Sequence, residues 1–269
     1  MQSAAIRPLA NMLPRHLFNA EHEAFRETVR KFYEKEVVPN TSRYEQQQHV
    51  DRDLWNEAGA LGLLCATMPE QYGGSGVDRL YSMILIEEQA YAMDSATGFS
   101  LHSDIVANYI CNFGNEQQKQ HWLPKMATGE VVTAIAMTEP GTGSDLQAVR
   151  TSAILDGSDY VINGSKIFIT NGYLCDMVIV VCKTGSSDKG SANLSLIIVE
   201  ADRAGFSKGK PLNKIGMKGQ DTCELFFDNV RVPKENLLGM EGMGFMMLMK
   251  ELAWERMLVA IICQAGAEA

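Results

Sequence analysis

The sequence predicts an α+β protein, in which an N-terminal all-α domain precedes a small β-barrel or β-sandwich domain and the first helix of a truncated C-terminal helical bundle. Three observations support this fold class. Apolar residues recur at helical spacing up to about Glu130, β-branched runs separated by turn-forming residues follow from Val131, and a stretch without proline begins at Gly242. We therefore expect three domains, covering residues 1–130, 131–240 and 241–269.

The first domain is predicted to be a set of helices joined by short loops. Asn19 is a suitable N-cap for a helix over residues 20–37, and Pro39 is expected to end that helix. A glycine-rich breaker over residues 69–78 separates the early helices from the later ones. Further helices are expected over residues 51–61, 79–93, 97–112 and 116–123, the last of them halted near Pro124. The first fifteen residues contain two arginines and no acid, but they are too short and too poor in serine for a targeting leader, so we expect a loosely ordered start.

Five segments rich in β-branched residues predict the strands of the second domain. They are VVTAIAMTE, YVINGSKIFITNG, DMVIVVCKT, LSLIIVEA and ELFFDNVRV. The tetrapeptides DGSD (156–159) and NGSK (163–166) predict turns, because glycine, asparagine, aspartate and serine favour them. Together these segments predict a compact β-domain.

The final segment predicts one long helix. It contains no proline and only one glycine after Gly244. Beyond Arg256 nearly every face is apolar, which is typical of a helix surrounded by partner helices. Because the sequence stops at Ala269, we expect the remainder of a helical bundle to be missing from this chain.

Composition and charge argue against several classes of protein. Hydrophobic residues make up 46% and charged residues 21% of the chain, which favours a globular core. The net charge of −9 without any basic patch disfavours nucleic-acid binding. No apolar run reaches the ~18 residues that a membrane span requires. The six cysteines form no C-x-x-C pair and have no histidine at ligand spacing, so we expect reduced thiols and no metal site.

The segment AMTEPGTGSD, residues 136–145, is a candidate ligand-binding loop at the end of the first predicted strand. Gly141 and Gly143 allow the backbone to approach a ligand closely and to direct N–H groups toward it. Thr138 and Ser144 add hydroxyl groups that can donate hydrogen bonds. Without its context, however, the same segment could form only a tight turn.

A second motif, KIFIT, lies in a predicted strand. Phe168 and Thr170 alternate along that strand and therefore share one face. The alternative interpretation is an ordinary core aromatic with a surface threonine. No G-x-G-x-x-G sequence follows a strand and opens a helix, so a nicotinamide dinucleotide site of the Rossmann kind is disfavoured.

The order of the motifs resembles that of the acyl-CoA dehydrogenase family. AMTEPGTGSD comes first, INGSKIFITNG (162–172) follows about 25 residues later, and LNKIGMKGQDTCELFFDNVRVPKENLLG (212–239) completes the set. The resemblance extends from Leu13 to the last residue, and the local sequence is most similar to the long-chain members. It implies FAD-dependent α,β-dehydrogenation of acyl-CoA thioesters, a reaction of fatty-acid β-oxidation.

The resemblance also implies which residues hold FAD. The loop would wrap the pyrimidine edge and the pyrophosphate, Phe168 would lie beside the isoalloxazine ring, and Thr170 would bond near N5. Phenylalanine stands here where many relatives have tryptophan, and Ile135 where some have tyrosine; long-chain members share the phenylalanine. The implied cofactor-binding residues are Ile135, Ala136, Met137, Thr138, Gly141, Gly143, Ser144, Phe168, Ile169 and Thr170.

Such a reaction needs a base for the α-proton while a hydride leaves the β-carbon. The long helix carries Glu251 and Glu255, one turn apart and both with apolar neighbours, and helical geometry alone does not separate them. The resemblance to long-chain and isovaleryl-type members implies that Glu255 is the base, although Ala253-Trp254 replaces a more usual Pro-Gln. The alternative is that Glu255 only pairs with Arg256 or another neighbour.

The remaining expectations concern substrate and partners. The resemblance implies an acyl-CoA substrate bound at Ser144, Met246 and Arg256, and electron transfer to electron-transferring flavoprotein. It also implies a homo-oligomer, which is a tetramer in intact members. Two alternatives stay open: an acyl-CoA oxidase-like flavoenzyme that passes electrons directly to oxygen, and an inactive fragment that binds flavin or acyl-CoA. We expect a bacterial cytoplasmic location, or the mitochondrial matrix if the source is eukaryotic.

Overall fold

The computed structural model describes residues 15–185 and 193–269, and its first half is a helical domain. The helices of this domain are α1 (Ala20–Phe32), α2 (Thr41–Gln47), α3 (Arg52–Ala60), α4 (Arg79–Tyr91), α5 (Ala107–Phe113) and α6 (Glu116–Ala127). Two π-helical turns, Tyr33–Val37 and Leu101–Val106, extend α1 and lead into α5. The loosely ordered start expected from the sequence falls almost wholly on residues 1–14, which lie outside the described residues.

Helix α1 begins where the sequence predicts, because Asn19 forms a capping box with His22. The Asn19 side chain accepts from the His22 backbone N–H at 3.0 Å, and the His22 ring accepts from the Asn19 N–H at 3.2 Å. The predicted range, residues 20–37, is confirmed: α1 and the π turn Tyr33–Val37 together cover it, and a 3₁₀ turn replaces the helix at Pro39. The chain continues through the π turn Tyr33–Val37 and a 3₁₀ turn, Val38–Asn40, into α2. Pro39 stands at the start of the 3₁₀ turn, where its missing N–H costs no hydrogen bond.

Pro124 does not halt its helix, contrary to the sequence prediction. Helix α6 continues through Pro124 to Ala127. The residues on its inner side, Trp122, Leu123 and Met126, are buried in the core. Tertiary packing therefore outweighs the backbone hydrogen bond that proline cannot donate.

The other helical predictions agree with the structure to different degrees. Those for residues 51–61 and 79–93 match α3 and α4 to within two residues at each end. The helix predicted for residues 97–112 is instead the π turn Leu101–Val106 followed by α5. Single-turn π segments widen a helix locally, and the apolar spacing of the sequence does not distinguish them from an α-helix.

The expected β-domain is a mixed sheet, eight-stranded within the described residues. Its strands are β1 (Thr133–Ala136), β2 (Ser152–Asp156), β3 (Asp159–Thr170), β4 (Met177–Lys183), β5 (Leu194–Glu200), β6 (Phe206–Lys208), β7 (Thr222–Pro233) and β8 (Leu237–Leu238). They follow the order β6-β7-β3-β2-β4-β5-β8, and β1 pairs in parallel with β4. The five predicted segments form β1, β3, β4, β5 and β7, whereas the short strands β2, β6 and β8 were not predicted.

The two predicted turns have different outcomes. DGSD forms a two-residue hairpin between β2 and β3, with Gly157 at φ +66°. The prediction for NGSK is wrong, because these residues lie inside β3, where the pairing with β7 shifts register beside Gly164. A Cβ atom at Gly164 would collide with the Thr151 side chain. Glycine therefore allows β3 to approach Thr151, the residue before β2, rather than forming a turn.

The helical domain covers one face of the sheet with a continuous apolar core. This core joins α5 and α6 to alternate residues of β4 and β5, namely Tyr109, Ile110, Leu123, Met126, Met177, Ile179, Leu196 and Ile198. The intervening residues of the two strands pack into a second cluster on the opposite face. Since β4 and β5 are buried on both sides, they hold the sheet rigidly against the helices.

The last helix, α7 (Gly244–Glu268), confirms the predicted long helix and packs in parallel on α4. The Arg79 guanidinium lies 4.3 Å from the centre of the Trp254 ring, and Tyr91 donates to Glu268 at 2.9 Å. The contacts therefore advance along both helices in the same direction. Part of the apolar surface of α7 is exposed, including Met257 and Val259.

Candidate active site

The loop that follows β1 is shaped by its own backbone hydrogen bonds. Glu139 and Thr142 exchange two of them, at 2.9 and 3.0 Å, so the two residues between them form the tip of a tight turn. The carbonyl of Thr138 accepts from the backbone N–H of Ile167 in β3 at 3.0 Å. The loop therefore contains a tight turn and is held beside β3 by a backbone hydrogen bond.

A buried ion pair anchors this loop from beneath, and the sequence analysis missed it. The Lys166 ammonium group, which is fully buried, donates to the Glu139 carboxylate at 2.9 Å and to the Met137 carbonyl at 3.0 Å. Glu139 also accepts from the backbone N–H groups of Arg150 and Thr151, at 2.7 and 2.9 Å. Burial opposes the charge of Glu139, but these donors and the Lys166 charge hold its pKa below the usual range. Burial lowers the pKa of the Lys166 ammonium group, and the Glu139 charge opposes this shift. The pair ties three segments together.

The outer side of the loop is open. Gly141, Gly143 and Ser144 are exposed, and Thr138 is half-buried. A Cβ atom at either glycine would meet no atom within 4 Å, so packing within the described protein does not require glycine there. The space in front of the loop therefore leaves room for a ligand to approach the backbone closely.

Phe168, which lies in β3 beside this loop, has an unusual backbone conformation and an exposed side chain. It adopts a left-handed conformation with φ +61°, and 63% of it is exposed. The pairing of β3 with β7 shifts register between Lys166 and Ile169, so Phe168 lies in a β-bulge. A bulky residue at positive φ is strained, and such strain is concentrated at functional sites. Ile169 is buried and Thr170 half-buried, an alternation that is compatible with the predicted shared face of Phe168 and Thr170.

Other predicted cofactor residues have buried or partly buried side chains. Ile135, Ala136 and Ile169 belong to the apolar clusters of the core, and Met137 packs against one of them. Their side chains lie within the protein rather than in the open space before the loop. A role for these positions in ligand binding would therefore depend mainly on their backbone.

The two candidate carboxylates of α7 face α5, and each has a different donor there. Tyr109 donates its hydroxyl to Oε1 of Glu255 at 2.7 Å, and Asn112 donates its amide to Oε1 of Glu251 at 2.9 Å. Within the described part of the chain Glu255 forms no ion pair with Arg256, which is exposed. The sequence indicated neither donor, although their spacing of three residues places both on one face of a helix.

The surroundings of Glu255 suit a proton acceptor. Burial raises the pKa of its carboxyl group, and the nearby negative charge of Glu251 raises this pKa further. The hydrogen bond from Tyr109 acts in the opposite direction, but the net shift is upward. A carboxylate with a raised pKa takes up a proton more readily than an ordinary surface glutamate does.

The predicted substrate residues do not meet in one closed pocket. Ser144 lies in the loop after β1, whereas Met246 and Arg256 lie on α7, and all three are exposed. No hydrogen bond or ion pair joins them within residues 15–185 and 193–269. Their substrate contacts therefore stay predictions.

The same residues offer neither a metal-binding cluster nor a membrane-spanning helix. The described histidines, cysteines and acidic side chains include no group of three or more that could hold a metal ion. All six cysteines are free, and Cys263 is the exposed one among them. No described helix is both long enough and apolar enough to cross a bilayer.

Solved structures define the class to which this fold belongs. A crystal structure of acyl-CoA dehydrogenase from Geobacillus kaustophilus matches 94% of the chain with a TM-score of 0.92 and 46% identity, and 67% of that protein is covered. An acyl-CoA dehydrogenase complexed with FAD from Bacillus anthracis matches 93% of the chain with a TM-score of 0.85 and 38% identity, covering 43% of that chain. A third structure, described as the electron transferring flavoprotein of Acidaminococcus fermentans, matches 93% of the chain with a TM-score of 0.86 and 35% identity, covering 66% of that chain. The fold is that of the acyl-CoA dehydrogenases.

Family models give the same result at the level of sequence. The model of the acyl-CoA dehydrogenase N-terminal domain matches residues 19–130, and that of the middle domain matches residues 134–230. The chain therefore belongs to the acyl-CoA dehydrogenase family, as the motifs predicted.

Curated relatives show how much of a family member this chain represents. It is 49% identical over its whole length to the mitochondrial long-chain specific acyl-CoA dehydrogenase of Sus scrofa, and spans 63% of that protein. Over 89% of its length it is 39% identical to the mitochondrial isovaleryl-CoA dehydrogenase of Pongo abelii, of which it spans 58%. The chain thus spans less than two thirds of these relatives.

Proposed function

We propose that this chain carries the flavin loop and the catalytic base of an enzyme that dehydrogenates acyl-CoA thioesters between the α- and β-carbons. The observation that carries the proposal is the position of Glu255, which is half-buried on α7, has a raised pKa and, among the described residues, has one hydrogen-bond donor, Tyr109. Membership of the acyl-CoA dehydrogenase family supports the reaction class. The division into residues 1–130, 131–240 and 241–269 belongs to the same proposal.

The loop after β1 and the neighbouring strand fit a flat, anionic cofactor such as FAD. The exposed backbone at Gly141 and Gly143 leaves room for close approach, and the hydroxyls of Thr138 and Ser144 can donate to ring and phosphate oxygens. The exposed ring of Phe168 offers an aromatic surface, with Thr170 two residues further along the strand. When bound, FAD supplies an acceptor for the hydride that leaves the β-carbon of the substrate.

Glu255 provides the other half of the chemistry. Its carboxylate removes the α-proton of the thioester, and burial makes it a stronger base than a solvated glutamate. Tyr109 engages Oε1 of Glu255, so Oε2 is the atom that receives the proton. Glu251 is the alternative base, but it is more buried, and its Oε1 atom is bound by Asn112.

We further propose a long-chain acyl-CoA substrate, because the relatives at 47–49% identity over the whole chain are long-chain specific enzymes. Ser144, Met246 and Arg256 are the proposed substrate contacts.

Electron-transferring flavoprotein is the proposed acceptor of the electrons, and the intact enzyme is proposed to be a homo-oligomer, most simply a tetramer. A mitochondrial relative is 49% identical to this chain and one from Bacillus subtilis is 40% identical, and bacterial cytoplasm stays our predicted location.

An anaerobic titration tests the proposal directly. The purified chain, reconstituted with FAD, is mixed with a long-chain acyl-CoA while the visible absorption of the flavin is recorded. We expect the flavin band to bleach with the wild-type chain and with the control Glu27→Gln, which changes an exposed glutamate of α1. Glu255→Gln should bind FAD but bleach far more slowly than the wild-type chain. Bleaching by Glu255→Gln at the wild-type rate would contradict the assignment of the base.

A further inference from the structure

Helix α5 presents two polar side chains to the two carboxylates of α7. Tyr109 and Asn112 are three residues apart on α5, while Glu251 and Glu255 are four residues apart on α7. Each donor therefore meets one carboxylate, and the partners are not interchangeable. Tyr109 is fully buried, so its hydroxyl has a fixed position rather than a mobile one.

The hydrogen bonds leave the two oxygens of Glu255 in different states. Oε1 receives the Tyr109 hydroxyl at 2.7 Å, whereas Oε2 receives no hydrogen bond from the described residues. A carboxylate that rotates freely presents either oxygen to a substrate, but one that is bound through Oε1 presents Oε2 alone. Holding a reacting group within a narrow range of orientations is a large source of catalytic rate.

Few charged groups face this carboxylate. Glu251 lies one turn away on α7 and repels the charge of Glu255, and Tyr109 is the polar neighbour from α5. From α4, the Arg79 guanidinium lies over the Trp254 ring, and on α7 the Lys250 ammonium lies over the Phe113 ring of α5. Tyr109 is therefore the neighbour whose hydrogen bond favours the ionised form of Glu255.

We propose that Tyr109 is a positioning residue for Glu255: its hydroxyl holds Oε1, keeps the carboxylate ionised and directs Oε2 toward the α-proton. This inference rests on the proposed role of Glu255 as the base. The two glutamates, one helical turn apart, have different donors. The Asn112 amide holds Glu251 beside α5, whereas the Tyr109 hydroxyl orients Glu255 as the base.

The hydrogen bond can be tested in the chain itself, without cofactor or turnover. The carboxyl carbons of glutamate are labelled with carbon-13, the Glu255 resonance is assigned by its loss in Glu255→Gln, and its pKa is read from a pH titration. Tyr109→Phe should raise this pKa by about 1–2 pH units, because a donor to the charged form is lost. Glu251→Gln should lower it, because a neighbouring negative charge is removed.

A matched control comes from the same domain. Tyr33 is also buried and shares a hydrogen bond of 3.2 Å with Thr97, so Tyr33→Phe removes an equivalent hydroxyl far along the chain from α5. Its Glu255 pKa should equal that of the wild type. An unchanged Glu255 pKa in Tyr109→Phe, or an equal rise in Tyr33→Phe, overturns the proposal.

The wild-type chain gives an independent readout in case Tyr109→Phe folds poorly. With carbon-13 at the ring carbon that bears the hydroxyl, the Tyr109 resonance should shift with the same midpoint as the Glu255 carboxyl. Absence of this shared midpoint overturns the proposal even if no variant folds. If the midpoints agree but the chain shows no flavin bleaching with acyl-CoA, the positioning contact stands and the proposed function fails.

In a chain that does bleach, the pH profile separates positioning from mere structure. The wild-type rate of flavin reduction should fall as the pH drops through the Glu255 pKa. Tyr109→Phe should shift this fall to higher pH by the same 1–2 units measured by titration. A uniformly lower rate with an unshifted pH profile would mean that Tyr109 only stabilises the fold.

Discussion

Glu139 in the loop after β1 and Glu255 on α7 are both shielded from water, yet their surroundings are opposite. Glu139 accepts from two backbone N–H groups and from the buried ammonium of Lys166. Glu255 accepts from one neutral hydroxyl and faces the negative charge of Glu251. The pKa of Glu139 is accordingly lowered, and that of Glu255 is raised.

The comparison shows what separates a structural carboxylate from a reactive one. Burial acts in the same direction on both, since it disfavours the charged form. The number of donors and the sign of the nearest charge decide the outcome. Glu139 is bound by several donors and holds the loop against β3. In Glu255, by contrast, Oε2 receives no hydrogen bond from the described residues, and the pKa of the carboxyl group is raised.

The largest expected effect comes from removing the carboxylate of Glu255, the proposed base. Glu255→Gln should lower the rate of flavin reduction by about 10²–10⁴-fold, because a general base is removed while the side-chain volume is kept. Stopped-flow measurement of the bleaching rate in the FAD-loaded chain checks this. Glu139→Gln, which leaves Glu255 untouched, should retain the chemical step in the molecules that still bind FAD. Equal rate losses in both variants would erase the distinction between the two carboxylates.

The next largest effect comes from removing Lys166, the counter-ion of Glu139. Lys166→Met leaves the Glu139 charge buried without its counter-ion and should lower the free energy of unfolding by about 3–5 kcal/mol. Urea denaturation followed by circular dichroism provides the measurement. The control is Lys31→Met, which breaks the exposed pair with Glu27 and should change stability by less than about 0.5 kcal/mol. A loss as small as that of the control would show that the buried pair does not brace the loop.

A third effect concerns the strained aromatic beside the loop. Phe168→Gly should stabilise the flavin-free chain by about 1 kcal/mol, because glycine adopts the left-handed conformation without strain. The same variant should bind FAD more weakly, since the exposed ring is lost. Phe168→Ala is the matched control: it loses the ring but keeps the Cβ, so it should weaken FAD binding without the gain in stability. Thermal unfolding and fluorescence titration with FAD distinguish these outcomes.

The smallest expected effect is on the pH dependence of stability, where Glu139 and Glu255 should act with opposite signs. A carboxyl whose pKa is lowered on folding, such as Glu139, contributes stability above its unfolded pKa, and this contribution is lost as the pH falls through the folded value. Glu255 has the opposite sign, because its raised pKa makes its contribution less favourable as the pH rises. Below about pH 4.3, the ordinary pKa of glutamate, Glu139→Gln should therefore flatten the rise in stability with pH, and above that pH Glu255→Gln should make stability rise more with pH. The second change should stay below about 1 kcal/mol because Glu255 is partly solvated. Urea midpoints at several pH values measure both slopes, and slopes of the same sign would contradict the assignment.

Much of the fold could be predicted from short-range patterns. Asn19 predicts the start of α1 through its capping box, and β-branched runs predict five strands of the sheet, namely β1, β3, β4, β5 and β7. Predictions based on single breakers had mixed outcomes. The helix over residues 20–37 gives way to a 3₁₀ turn at Pro39, whereas α6 continues past Pro124 because its inner residues are packed in the core. The strands β2, β6 and β8 were not predicted, because their pairing with neighbouring strands rather than their composition creates them.

The candidate site divides in the same way. The loop at residues 136–145, the exposed aromatic Phe168 and the two glutamates of α7 were candidates from the sequence, and their roles stay predictions. Lys166 and Tyr109 were not candidates. Lys166 meets Glu139 across 27 residues, and Tyr109 meets Glu255 across 146 residues, so no local pattern connects them.

By itself, the sequence determined the α+β class, the order of helices, strands and final helix, and the motifs that place the chain in its family. These features depend on residue types within a few positions of one another, where periodicity, caps and turn chemistry act. Only the tertiary structure decided which carboxylate is braced by a cation and which is left with one donor beside a like charge. Burial and charge act through space, so the pKa of Glu255 depends on Tyr109 and the core around it rather than on its neighbours in the chain.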